Sequence, residues 1–415
     1  MPKGTKMSKT LECHVCLWGE EVGVLATIKG KTYFQYEDSF LKKGLDISPL
    51  HLPLSPKVYD TTTLTYFEGL AGVFADALPD SWGNKIIENF FTQQEHLSPY
   101  DISPLQKLLY MGKRSMGALE FAPSTQSKSK ETQEMLDIAS LVEDSRKVLK
   151  GDMSTLLPER FRVSSDSLGG AKSKVTVGMN TQTKEIITAN TTLDEGFEHW
   201  LIKFDGTDEQ ARPTEALLAE KVYLDMAKRC GIESVESQIV HDRNLSHLAV
   251  KRFDRVGNEK PLHVHTLAGM AHINFRDKES MSYDTFFRTI LAVTHDYSVL
   301  EEGYRRMVFN VLAGNQDDHA KNHSFVMNKE GIWRLSPAYD ILPTFGYGHK
   351  MSINFKDKGV NEEDLLIMAE RFNIKNARKI IAHQKEVISH FPKYAKDIGI
   401  SQKKCDEIAK NLKVH

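Results

Sequence analysis

The stretch GNQDDHAKNHSF, Gly314–Phe325, decides the reading of this chain. Asp317 and Asn322 stand in the D-x-x-x-x-N spacing of a phosphoryl-transfer catalytic loop. In such a loop the Asp accepts the proton of the attacking hydroxyl. The Asn supplies an oxygen to magnesium, a hard cation that prefers oxygen ligands. Lys321 lies between them and could neutralise charge developing on a transferred phosphate. Further on, SPAYDILPT sets Asp340 between apolar flanks, where a carboxylate could hold a metal bridging nucleotide phosphates. Taken alone, the DD pair also fits a plain solvated loop. His319 and His323 have the spacing of an HExxH zinc site, but HAKNH puts Ala320 where the general base belongs. A zinc protease is therefore set aside.

Upstream, SLGGAKSK at Ser167–Lys174 is glycine-rich, and glycine lets backbone amides approach phosphate closely. It has neither Walker A nor G-x-G-x-x-G spacing, so a Gly-Gly turn between strands fits it as well. Lys203, in the apolar run HWLIKF, is costly to bury without a partner. A kinase supplies one from a neighbouring helix. Glu220 shares the face of Leu217 and Leu224 and is the first choice, with Glu215 near the helix start as the second. A lysine snorkelling from a half-exposed strand fits equally. In HLAVKRFDR, the backbone of Lys251, Arg252 and Phe253 could meet an adenine edge and Asp254 a ribose. An ordinary strand end with an Asp254–Arg255 surface pair is the alternative. The order carries more than any single piece: glycine loop, strand lysine, helix glutamate, hinge strand, DxxxxN, metal aspartate.

The rest of the chain frames these motifs. At 415 residues and net charge −2 it has room for several domains and no global attraction to nucleic acid. Residues 13–36 read as a β-meander, with Val22, Val24, Ala26 and Ile28 in strand alternation and Gly30 at a turn. Helical patterns cover Leu70–Leu78, Trp82–Phe91, about Glu134–Leu149 and Thr214–Arg229, and LPD at Leu78–Asp80 punctuates the first two. Residues 123–134 read as a linker. VTV, EIITA, HWLIKF and HLAVKRF read as strands. Beyond Asp254 the pattern is mostly helical, apart from HSFVM and IWRLS. Cys13 and Cys16 fall on opposite faces of a strand, so the four cysteines are expected as reduced thiols. No apolar run is long enough to span a bilayer, and MPKGTKMSKT leads into no secretory segment. A cytoplasmic protein without membrane contact is expected.

Together the residues resemble the HipA-type kinases, toxins of bacterial toxin–antitoxin modules. The most specific pieces are FEGLAGVFADALPDSWG, RSMGALEFAP, SLGGAKSK, VKRFDR, DDHAKN and LSPAYDILP. The resemblance runs from GVLATIKGKTYFQY to the C-terminal helices. It implies an α+β, bilobal, protein-kinase-like fold with an extra N-terminal subdomain and an all-α C lobe. The corresponding boundaries are 1–125, 126–254 and 255–415. It implies ATP and Mg2+, and serine phosphorylation of a protein target, an aminoacyl-tRNA synthetase being one target class, with growth arrest following.

By motif, Asp317 looks like the catalytic base, and Asn322 and Asp340 like the metal ligands. Gly169, Gly170, Ala171, Lys172, Ser173, Lys174, Lys203, Lys251, Arg252, Phe253, His319, Ala320, Lys321 and Tyr339 look like the nucleotide shell. Ser167 matches the family's autophosphorylated serine, whose phosphate ejects the loop. A phosphate of charge about −1.5 to −2 beside the ATP site would repel nucleotide. Ser164, Ser165 and Ser173 remain alternatives for the modification. One departure stands out: the family's GAQ-x-K reads Gly170-Ala171-Lys172-Ser173-Lys174 here, which puts the loop contacts in doubt. The implied partner is a HipB-type helix-turn-helix antitoxin, with DNA reached through it. The alternative function is a catalytically silent co-repressor subunit of such a complex.

Overall fold

The alternating N-terminal pattern folds as a meander of β1 (Leu11–Leu17), β2 (Glu20–Ile28) and β3 (Lys31–Tyr36). The structure, a computed structural model, describes residues 10–125, 133–152, 154, 156–164, 172–189, 192–207, 212–257 and 261–414. Lys29 and Gly30 turn β2 into β3 with φ of 50° and 79°, the positive values a tight hairpin needs. Strands β4 (Tyr59–Asp60) and β5 (Leu119–Ala122) complete an antiparallel sheet of order β4-β3-β2-β1-β5. The alternation over Val22–Ile28 is broken by a bulge. Val15 faces Gly23 and Cys16 faces Glu21, leaving Val22 over. Val22 and Leu25 are buried while Ile28 is 45% exposed. All four cysteines are free. Burial, with a smaller push from Cys16, raises the Cys13 thiol to about 12, so it is inert.

The second sheet runs β7-β6-β8-β10-β9. Its strands are β6 (Lys174–Met179), β7 (Ile186–Thr188), β8 (Glu198–Lys203), β9 (Ser237–Asp242) and β10 (Leu245–Lys251). Both faces are covered. Val175, Val177 and Ile202 pack with Trp82, Ile86, Leu141 and Val142 in one cluster. Leu248 and Val250 pack with Leu217 and Val222 of the helix Ala216–Arg229 in another. The helix expected from Glu134 starts instead at Ile138, because Asp137 caps it by accepting from the Ser140 amide at 2.9 Å. Met135 upstream bridges to Ile187 as extended chain.

The remainder is built on helices, chiefly Tyr283–Thr294, Ser298–Ala313 and Ala377–Ser389. The all-α expectation needs one amendment. The HSFVM and IWRLS runs form β12 (Ser324–Met327) and β13 (Trp333–Leu335), which join β11 (His263–Thr266) in a three-stranded sheet. All four residues of β12 are buried, which pairing with strands on both sides makes affordable. Residues 314–323 thus run from a helix end into a fixed strand. The turn begins at Gly314, where φ is 70° and a Cβ would lie 2.2 Å from the Phe345 ring.

The N-terminal subdomain is welded to the rest. A Cβ on Gly72 would sit 2.1 Å from the Gly269 carbonyl oxygen, so two backbones touch there. No helix among the described residues is long and apolar enough to cross a membrane.

Candidate active site

Lys203, on the last residue of β8, settles its partner question directly. Its ammonium is hydrogen-bonded to Glu220 of the Ala216–Arg229 helix and lies 2.5 Å from Asp340 Oδ1. Burial pulls its pKa down, but Asp340 and Glu220 outweigh burial and hold it above the ordinary lysine value. Burial pushes Asp340 up, and Lys203 and Lys174 return it below the usual carboxylate range. Both groups are therefore charged at neutral pH. Asp340 has φ of 57°, a left-handed conformation rare outside glycine. Glu215 serves elsewhere, accepting from the Ser401 amide at 2.9 Å.

These side chains line one cleft. Its walls bring together Lys203, Glu220, Lys251, Arg252, Phe253, Lys321, Asn322, Tyr339 and Asp340 from distant parts of the chain. Phe253 stacks on Tyr339 with ring centroids 5.7 Å apart. Tyr339 in turn donates to the Lys321 carbonyl at 2.8 Å and shares a 2.6 Å bond with the Ser324 hydroxyl. Lys321 holds its ammonium 4.7 Å over the Phe275 ring.

The DD pair divides its work. Asp318 is buried and fully engaged: Tyr283 Oη donates at 2.9 Å, the Lys350 amide at 2.7 Å, and His349 Nδ1 lies 2.8 Å away. Asp317 is held by its backbone instead. Its amide donates to Thr344 Oγ1 at 3.0 Å and its carbonyl accepts from Asn322 Nδ2 at 2.9 Å. Its half-buried carboxylate meets no protein donor among the described residues. Asn322, with its amide nitrogen so occupied, keeps its carbonyl oxygen for another partner.

One expectation needs correction. Asp254 is not a ribose ligand. It is fully buried, bridged by Arg252 and Arg255 at 2.7 Å each, and accepts from the Gly117 amide at 2.9 Å. Arg255 also donates to the Gly117 carbonyl at 2.8 Å, so this cluster bolts the N-terminal subdomain to the hinge. The Arg252 side chain belongs to that bolt, and its amide is spent on His199 at 2.9 Å. The Lys251 ammonium turns to Glu198 at 2.6 Å. Ala320 is fully buried in the core. His319 packs against Phe275 with centroids 6.2 Å apart. Ser173 is buried, its hydroxyl 2.8 Å from that of Thr207, and Lys172 is exposed. Ser167, Gly169, Gly170 and Ala171 lie outside the described residues.

The sequence reading passed over two cleft residues, Asp76 and Asp80. Asp76 accepts from the Thr266 amide at 2.8 Å and from its hydroxyl at 2.7 Å, with His265 Nδ1 also at 2.7 Å. Burial pushes its carboxyl up, but His265, Lys321 and Thr266 hold it below the usual range. The signal was there: FADALPD sets two carboxylates in an apolar run.

An upper β-rich lobe, a mostly helical lower lobe and a cleft of charged and apolar side chains between them define a protein-kinase-like architecture with an added N-terminal subdomain. This chain belongs to the HipA-like family: residues 166–414 match the HipA-like C-terminal domain and residues 13–122 the HipA N-terminal domain. A protein of Haemophilus influenzae described as a putative kinase is 30% identical over 168 residues, covering 35% of this chain and 48% of the relative. The serine/threonine-protein kinase toxin HipA of Shewanella oneidensis is 26% identical over 146 residues, covering 30% of this chain and 34% of that protein. The chain thus spans less than half the length of these curated relatives. In fold the likeness extends further. The HipA of Shewanella oneidensis, solved in complex with HipB and operator DNA, superposes with a TM-score of 0.69 at 17% identity, over 96% of this chain and 94% of that one.

Proposed function

We propose that this chain is an ATP-dependent serine/threonine protein kinase acting as a growth-arresting toxin. The observation that carries the reading is the buried Glu220–Lys203–Asp340 array opening into the same cleft as Asn322. Fixed opposite charges lining one cleft suit a triphosphate and a divalent ion. Asp340 and Asn322 would hold Mg2+, which takes one or two protein carboxylates and leaves its other positions to water and phosphate. The donor set is chemically suited, because a carboxylate and the Asn322 carbonyl oxygen, left open by the bond from its amide nitrogen to the Asp317 carbonyl, are hard oxygen donors. Bound magnesium would neutralise phosphate charge.

The chain's own residues account for the rest. Lys203, held charged by Glu220, would orient the phosphates. Asp317 would take the proton of a serine hydroxyl as that oxygen bonds the γ-phosphorus and the bond to the β–γ bridging oxygen breaks, releasing ADP. Lys203→Met is expected to weaken ATP binding at least about tenfold, since a charge-assisted contact is worth about 1.5–3 kcal/mol. Calorimetric titration of the folded variant checks this.

By analogy with the Shewanella oneidensis complex, a HipB-type antitoxin is the proposed partner, with DNA reached through it. The protein substrate, for which an aminoacyl-tRNA synthetase is the first candidate, awaits identification by phosphoproteomics. Autophosphorylation at Ser167 is the proposed off switch. Mass spectrometry after incubation with ATP should find phosphate there as activity decays, and an unmodified Ser167 in an inactivated sample would rule it out.

Labelled ATP incubated with the protein and a cell lysate tests the function itself. Label on a protein band is expected. Label in small molecules alone points to a small-molecule phosphotransferase, and no transfer to a silent co-repressor.

A further inference from the structure

The upper sheet holds a second buried lysine beside the first. Strands β6 and β8 pair with Lys174 directly opposite Lys203, and both side chains are buried. Two ammonium groups so placed repel, and each needs its own carboxylate. Lys203 has Glu220 and Asp340. Lys174 is paired with Asp80, at 2.7 Å, and Asp80 comes from the N-terminal subdomain.

Asp80 is itself fixed by a separate task. Its Oδ1 accepts from the Trp82 and Gly83 amides, both at 2.9 Å, and so caps the helix Ser81–Gln94. Trp82 adds a second contact to Lys174, its indole Nε1 donating to the Lys174 carbonyl at 2.9 Å. Residues 80–82 therefore grip Lys174 by side chain and by backbone, where the SLGGAKSK run enters β6. Asp80 also lines the cleft.

We propose that Asp80 is a positioning residue whose carboxylate supplies the counter-charge that holds Lys174 beside Lys203 as a second phosphate-binding cation. The N-terminal subdomain then completes the triphosphate half of the cleft. The inference rests on the nucleotide-binding reading above. Asp80, Glu220 and Asp340 together hold the two lysines in place. An arriving triphosphate needs both cations. The groups facing Lys174 are Asp80 and Asp340, which favour its charged form, and Lys203, which opposes it. Burial is the largest influence and leaves Lys174 below the ordinary lysine value. Removing the charge of Asp80 lowers it further.

Asp80→Asn isolates this effect, because Asn caps helices as well as Asp does. The variant should fold and melt close to wild type. Its MgATP affinity, titrated calorimetrically on the full chain, should fall about tenfold, the equivalent of one charge-assisted contact. Its alkaline loss of affinity should begin at lower pH than in wild type, as Lys174 gives up its proton sooner. Asp80→Glu, which keeps the charge, should retain the wild-type alkaline limb. Added to Lys174→Met, Asp80→Asn should weaken binding no further, because the two residues act as one unit. Wild-type affinity and pH profile in Asp80→Asn would overturn the proposal. So would an equal loss with and without Lys174, the mark of a merely structural role. A folded wild-type chain that binds no MgATP would instead remove the nucleotide reading, and this inference with it.

Discussion

Asp317→Asn is expected to slow phosphoryl transfer by about 10²–10⁴-fold, the usual contribution of a positioned general base. MgATP affinity and melting temperature should stay close to wild type. The reason is the separation of tasks within one loop. Everything that holds Asp317 in place runs through its backbone: the amide to Thr344 Oγ1 and the carbonyl from Asn322 Nδ2. Its carboxylate is left for chemistry. Asp318, one residue on, has the opposite arrangement, with three partners on a buried carboxylate. Asp318→Asn should therefore cost stability as well as activity. Transfer rates at the wild-type level in a folded Asp317→Asn variant would contradict the assignment of the base.

Asp254→Ala should produce the largest loss of stability, about 3–5 kcal/mol, the usual result of stripping one partner from a buried ion cluster. Two guanidinium groups, Arg252 and Arg255, would be left buried without their carboxylate, and the Gly117 amide without an acceptor. The link between N-terminal subdomain and hinge would go with them. Burial pushes the Asp254 carboxyl up, but Arg252 and Arg255 outweigh it and hold it far below the usual range. The sign follows from that depression. The stabilisation is present in full above the unfolded carboxylate range and is lost only as pH falls through the depressed folded value. Wild type should thus keep this contribution in mild acid. Urea unfolding at neutral and mildly acid pH checks both statements, and an unchanged midpoint in Asp254→Ala would refute them.

What the sequence disclosed, it disclosed through local pattern. Lys203 in an apolar strand fitted a paired or a snorkelling lysine equally, and helical spacing put Glu220 ahead of Glu215 as the partner. The spacing of Asp317 and Asn322, with Asp340 beyond, marked the candidate catalytic loop. What stayed hidden depended on contacts between distant segments. Asp254 looked like a residue facing a ligand because nothing in VKRFDR reveals that Gly117 lies against it. Asp80 looked like a helix start, which it is, but its second oxygen faces Lys174 across 94 positions of chain. The small sheet in the lower lobe escaped because β11 and β12 are paired across about 60 residues. The bulge at Val15/Cys16 left no local signature beyond Gly23, whose Cβ would fall 2.2 Å from the Gln35 carbonyl oxygen.

The most direct measurement is a crystal structure of the full chain with magnesium and a non-hydrolysable ATP analogue. The account predicts triphosphate in the cleft at Lys203 and Lys174, the metal on Asn322 and Asp340, and the Asp317 carboxylate facing the γ-phosphate. Nucleotide bound elsewhere, or a Lys203–Asp340 pair left closed with no metal beside it, would contradict it.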